Sequence, residues 1–252
     1  MLRLQQAPDR DTVQRTDVAT IAFDIEVAGL PWEEVDDVTR EYLLSRAGDA
    51  EAREGIPNRT ALYPGLGKVI AIGLWLIEQD RGLILLEGES EPEKTWDRVA
   101  STKIVRGSEE EILARFWKVV SKRGAGRRPS RLVTYNGRTY DGPTLMIRSA
   151  QLGVRVSRHL VPYRYDVAEH CDLMDVLGFM GAVRTTYPLD YWCRRFAIES
   201  PKGGLDGSKV AAAYAAGRIE DIGEYCLRDV RATAQLFTRV QATFLPTFPG
   251  GS

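Results

Sequence analysis

The chain is short of the residues that build several common kinds of site. Its three cysteines, Cys171, Cys193 and Cys226, lie far apart among 252 residues, and only two histidines, His159 and His170, accompany them. No C-x-x-C pair is present, which speaks against a zinc site and a disulfide framework; we read the thiols as inert and the compartment as reducing. No long hydrophobic run occurs. The longest, residues 69–77, is too short to span a bilayer and has the length of a buried strand. Residues 1–17 are polar and lack the apolar core of a signal peptide, so a cytoplasmic location is expected. An excess of either charge is also missing. With 34 basic and 35 acidic side chains the net charge is −1, so attraction of a polyanion has to come from local basic patches and bound cations.

What is present is ordinary globular chemistry, 44% hydrophobic and 27% charged, in enough chain for one well-packed domain. After the polar start, residues 18–26 read as an apolar strand ending in acids. Residues 29–66 interrupt the β pattern with a charged, helical stretch at 32–47 and two turn-rich segments, and read as an insertion over the mouth of a site. Strands are expected at 68–78 and 82–87, joined by a hairpin. Ser108 and Glu111 form a capping-box pattern that opens a helix over 109–121. A basic, glycine-rich linker follows at 122–130, with Lys122, Arg123, Arg127, Arg128 and then Arg131; it reads either as a phosphate-tracking loop or as a solvated one. Next come a strand at 131–135 and helices at 142–152, 172–179, 189–196, 207–216 and 219–242. This order fits a mixed α/β sheet covered by helices in one domain, residues 18–243, followed by a tail at 244–252.

Three short patterns carry chemistry. Asp24 and Glu26 are two positions apart on a strand and share one face. Asp141 stands where a helix begins after the turn at Asn136 and Gly137; helix capping and cation binding are both open to it. Tyr225 and Asp229 are four apart on the last helix and share its face.

Taken in order, Phe23-Asp24-Ile25-Glu26, then Asn136 to Asp141, then Tyr225-x-x-x-Asp229 resemble the three motifs of the DEDD exonuclease superfamily. The tyrosine four before the last acid resembles the DEDDy branch, since the histidine branch would place histidine where this chain has Glu224. The likeness extends to the proofreading domain of family B DNA polymerases and to stand-alone bacterial proteins predicted to be exonucleases, with support from residues 172–177 and 202–210. It implies a ribonuclease H-like fold, a five-stranded mixed sheet flanked by helices, whose fifth strand falls either near Asp166 or in a segment given another assignment above. It implies 3′-5′ hydrolysis of phosphodiesters at single-stranded ends, with DNA favoured over RNA. One departure is Val27, where the polymerase-type enzymes commonly carry threonine after Asp-x-Glu; backbone groups of Val27 and Ala28 are left to hold the 3′ end.

Oxygen-only ligands suit two divalent cations, Mg²⁺ or Mn²⁺. Asp24 is expected to bridge them, with Glu26, Asp229 and Asp141 as further ligands and Tyr225 orienting the attacking water. Lys202 and Lys209, flanking a glycine-rich turn before a helix, have a geometry able to hold phosphate. Tyr140 reads as a base-stacking residue or a core aromatic, and Asn136 as a substrate contact or a turn-former. The competing readings are an RNA-trimming or short-oligonucleotide nuclease and a non-catalytic nucleic-acid-binding module.

Overall fold

Alternation along one strand divides the molecule into two apolar layers. In β1 (Thr20–Gly29), Ile21, Phe23, Ile25 and Val27 enter one cluster, while Ala22 and Ala28 enter another on the opposite face. The computed structural model describes residues 19–121, 130–201, 205 and 207–251. After β1 come α1 (Asp37–Ser45), α2 (Ala50–Gly55), β2 (Gly67–Leu76), β3 (Arg81–Glu87), β4 (Glu91–Thr95), β5 (Thr102–Gly107) and α3 (Glu109–Val120). The second half holds β6 (Arg131–Thr134), α4 (Asp141–Gln151), β7 (His170–Asp172), α5 (Leu173–Leu177), α6 (Leu189–Arg195), α7 (Val210–Ala215) and α8 (Ile219–Gln241).

The strands form one mixed sheet in the order β4-β5-β3-β2-β1-β6-β7. β1, β2 and β3 are antiparallel neighbours, and β6 and β7 extend the sheet parallel to β1. This is the ribonuclease H-like mixed sheet flanked by helices, with seven strands in place of the expected five. β7 is the strand anticipated near Asp166. β4 and β5 are additions beyond β3, and β4 is an exposed edge whose charged sequence, Glu-Pro-Glu-Lys-Thr, blunts further pairing.

Other boundaries moved for local reasons. β1 does not stop at Glu26 but runs to Gly29, because Val27 and Ala28 go on pairing with Val69 and Lys68 beyond a bulge. The expected helix at 32–47 is broken. Asp36 caps α1, accepting from the Thr39 amide at 3.0 Å, so the helix starts only at Asp37. At α3 the capping box forms in full, with Ser108 and Glu111 satisfying each other's amides. The segment read as a C-terminal tail is docked: Leu245 is fully buried, the Val167 amide donates to the Pro249 carbonyl at 3.0 Å, and Arg131 reaches the Gly250 carbonyl at 2.8 Å. Among the described residues no helix is long and apolar enough to cross a membrane.

α3 and α4 cover one face, tied by a hydrogen bond of 2.8 Å from the Trp117 indole to Ser149. α8 lies across the other face and comes unusually close at Gly73 of β2, which pairs with Asp24. A Cβ at Gly73 would stand 2.9 Å from Val230 Cγ2 and 3.0 Å from Cys226 Sγ. Gly223 makes the reciprocal concession, its absent Cβ leaving room for Leu86. The first turns of α8 are held from the side by Arg98, whose guanidinium meets Glu220 at 2.9 Å and Asp221 at 2.7 Å, and by Arg106, which pairs with Glu220.

Overpacking in a tight core commonly costs about 1–3 kcal/mol. Gly73→Ala is therefore expected to lower the melting temperature by several degrees in a thermal melt, whereas alanine at the open, surface-lying Gly48 leaves it within a degree.

Candidate active site

The strand alternation that buries Phe23 and Ile25 against α3 and α4 turns Asp24 and Glu26 toward α8. Because Gly73 admits that helix, the Cys226 thiol reaches the Asp24 carbonyl oxygen at 3.5 Å. One turn of helix then delivers Asp229 beside Tyr225. The third contribution comes through the sheet plane. β6 pairs with β1 only over Thr20–Ala22, so the β1 edge beyond is unpaired by strand. Asp141 fills the gap, its Oδ1 accepting from the Ile25 amide at 3.1 Å. Asp141 is the first residue of α4, and its carboxylate does not cap the helix; the capping position belongs to Tyr140 and has no side-chain cap.

Asp172 sets that geometry from a distance. Its carboxylate accepts from the amides of Asn136 at 2.8 Å and Arg138 at 2.9 Å, and it caps α5 through Met174 at 3.0 Å. A buried acid thus clamps the turn that launches α4. The sequence reading included Asp172 in a supporting stretch and assigned it no role, although an acid between a strand and a helix is a recognisable capping signal.

Four carboxylates now face one another. Burial pushes Asp24 well up from the usual carboxylate range, and the charges of Asp141, Glu26 and Asp229 push it further. Glu26 is raised by burial and then by Asp229 and Asp141. Asp141 is pushed up to about 7, chiefly by burial, and Asp229 to about 6 for the same reason, with Tyr225 and Arg228 pulling the latter back. Such a group is stable as a set of anions only with positive charge between its members. The donors are hard oxygens, so the arrangement fits hard divalent cations. Ligand atoms of Asp24, Glu26 and Cys226 lie within 4.8 Å of one another, but burial and the adjoining acids hold the thiol well above its ordinary range. Cys226 therefore stays protonated and serves as a packing group and S–H donor. The Tyr225 phenol is likewise raised, first by burial and then by Asp229, Glu26 and Asp24, and keeps its proton at neutral pH.

The remaining candidate residues are distributed differently. Val27 is buried on the face away from the acids, against the position of Gly67, so only its backbone is turned to the site. Ala28 lies on the acid-bearing face and opens on a cleft of about 730 Å³, shared with Leu30, Trp32, Thr60 and Tyr214. Segment 29–66 thus supplies one wall of this cleft, and α7 the other. Tyr140 has its ring against the α3–α4 cluster and donates its hydroxyl to the Ala61 carbonyl at 2.9 Å, tying the 29–66 segment to α4. Asn136 takes a left-handed conformation with φ 67° and its Oδ1 accepts from Thr139 at 2.6 Å, the geometry of a turn-former. Lys209 is exposed just ahead of α7, while Lys202 and the linker residues 122–129 lie outside the described residues. Arg131, read with that linker, instead holds carbonyls of Ala168 and Gly250. His170 is buried between Thr134 and the Leu160 carbonyl, at 2.8 and 2.6 Å, and His159 is exposed.

A family model described as "Predicted 3'-5' exonuclease related to the exonuclease domain of PolB" matches residues 66–244. The chain belongs to that family. The PolB-related match takes in Asp141, Tyr225 and Asp229, while Asp24 and Glu26 precede it. A DNA polymerase of Pyrococcus glycovorans is 28% identical over 162 residues, which cover 56% of this chain and 20% of the polymerase. The chain therefore spans about a fifth of the length of that relative. Membership of the PolB-related family agrees with the mixed sheet flanked by helices.

The raised carboxyl groups make stability depend on pH. In the folded protein they bind protons that the unfolded chain, with carboxyls near 3.8 and 4.5, has released. Their stabilising contribution is complete below about 4 and is lost as the pH rises through about 6 for Asp229 and about 7 for Asp141. In EDTA the melting temperature is expected to fall between pH 5 and pH 8. Asp141→Asn should remove about 1–3 kcal/mol of that loss and melt several degrees higher than the parent at pH 8. A flat profile in the parent protein would contradict the cluster's electrostatics.

Proposed function

We propose that this chain is a divalent-metal-dependent 3′-5′ exonuclease acting on single-stranded DNA. The observation that carries the reading is that Asp141 and Asp229 lie near enough to Asp24 and Glu26 for their charges to act on both, all four being raised by burial. A protein that only bound nucleic acid would gain nothing from four acids gathered where a phosphate must lie. The polymerase likeness favours DNA, and the family description supplies the 3′-5′ direction.

Asp24, Glu26, Asp141 and Asp229 would hold Mg²⁺ or Mn²⁺. Cations bound there supply the charge that lets an anionic phosphodiester approach and that offsets the charge developing on its oxygens. Asp141 has one oxygen engaged by the Ile25 amide, which fixes the carboxylate beside β1. Asp229 rides on a helix held by its packing against β2, so its position relative to Asp24 is set before substrate arrives. Tyr225 retains its proton and acts through its hydroxyl as an orienting hydrogen-bonding group for the attacking water, not as a base. Beyond the stretch of β1 that pairs with β6, backbone of Val27 and Ala28 would hold the 3′ end, and the cleft beginning at Ala28 would give the terminal nucleoside an apolar wall.

The test is a gel assay on 5′-labelled single-stranded DNA and RNA with Mg²⁺, Mn²⁺ or EDTA. The expected result is a ladder shortening from the 3′ end of DNA, absent in EDTA and absent in Asp24→Ala and Asp229→Ala. Intact substrate under every metal would overturn the reading, and faster loss of RNA would replace DNA as the substrate. Tyr225→Phe removes only the orienting hydroxyl, so kcat should fall about 100-fold, the lower end of the range for one positioned hydrogen-bonding group. Its pH profile should keep its shape, because a protonated phenol does not titrate in the working range; loss of a limb that rises with pH in the parent would make Tyr225 a true base.

A further inference from the structure

α6 stands beside the acids. It packs on α8, and its buried Cys193 thiol is raised by burial and by the neighbouring charges of Asp190 and Asp229. Its entry is pinned at the carboxyl end of β6, where the Tyr135 phenol donates to the Tyr187 carbonyl. On the outer side of this element three flat groups follow at intervals of four. The rings of Tyr187 and Tyr191 stack at 4.3 Å with an interplanar angle of 17°, and the Arg195 guanidinium lies 5.9 Å from the Tyr191 centroid. Trp192 braces both tyrosines edge-on, at 5.6 and 5.1 Å. The column is at the surface: Tyr191 is 37% exposed, and Arg195 and Arg194 on the same helix are exposed as well, Arg194 pairing with Asp190 at 3.2 Å.

Core packing does not account for this arrangement, since the tyrosines stack on each other and lie outside both apolar clusters. Aromatic faces bind bases of any sequence, and adjoining arginines serve the phosphates between them. An exposed guanidinium stacked on a ring is also easily exchanged for a base, after which it is free to pair with a phosphate. Basic groups beside an acidic cluster are what a polyanion needs in a chain of net charge −1.

We infer that the Tyr187–Tyr191–Arg195 column is a stacking platform for single-stranded DNA, receiving bases on the 5′ side of the nucleotide being removed. This rests on the exonuclease reading above and adds a specific path for the strand. Base stacking of this kind changes affinity by about an order of magnitude per base when the ring is removed.

The experiment measures equilibrium binding of 5′-dye-labelled oligothymidylates of two and eight nucleotides by anisotropy, with Ca²⁺ as the cation, for the full chain, Tyr191→Ala and Tyr191→Phe. Affinity of the parent should rise with length. Tyr191→Ala should bind the octanucleotide about tenfold more weakly, while Tyr191→Phe, which keeps the ring, stays within about twofold. Octanucleotide binding by Tyr191→Ala equal to that of the parent overturns the platform. So does equal weakening in both variants, which would mark a hydroxyl or packing effect. If the parent still degrades DNA with Mg²⁺ in those cases, the exonuclease reading stands without the platform. A parent that neither binds nor degrades any oligonucleotide overturns both.

Discussion

Mutual repulsion among four carboxylates is the constraint to which the rest of the molecule answers. Burial raises the proton affinity of Asp24, Glu26, Asp141 and Asp229, and the adjoining acids raise that of Asp24 and Glu26 further, because the chain forces them together in a partly dry place. The force comes from packing. A glycine opposite Asp24 lets a long amphipathic helix settle onto the sheet, and the apolar face of that helix, with Cys226, Leu227 and Val230 buried, cannot leave without exposing the core. Hydrophobic burial thus holds in place a group of charges that would otherwise separate.

The same division of labour extends outward. One face of β1 is committed to α3 and α4, the other to the acids and α8, so the acid cluster and the α3–α4 core do not compete for the same side chains. Where β6 leaves the edge of β1, a backbone amide that lacks a strand partner is satisfied by Asp141. The turn leading to Asp141 is in turn satisfied by Asp172. A missing ladder bond has become the anchor of a carboxylate.

Much of this could be read from local patterns. Alternation placed Asp24 and Glu26 on one face, helical spacing paired Tyr225 with Asp229, and Ser108 with Glu111 announced α3, because each depends on residues a few positions apart. What escaped depends on distant partners. β4 and β5 carry too many charges to show alternation, and their pairing is set by β3 and each other. Tyr140 and Arg131 looked available for substrate until the structure brought Ala61 to one and Gly250 to the other. Gly73 carried a signal that went unread: a glycine inside an apolar strand marks a close approach of another element.

The arginines that reach α8 from the β4–β5 margin give the two added strands a mechanical meaning. A helix that slips by one residue moves its side chains about 1.5 Å along the axis and rotates them by roughly 100°. Such a slip would swing Asp229 out of the cluster altogether. Arg98 and Arg106, gripping Glu220 and Asp221 at the start of the helix, act as a thrust bearing that sets its axial position. Their carboxylate partners are partly open to water, so the bearing is softened by salt while the greasy contact at Gly73 is not. The alignment of the site thus has one ionic and one apolar component, and only the first answers to the ionic strength of the surroundings.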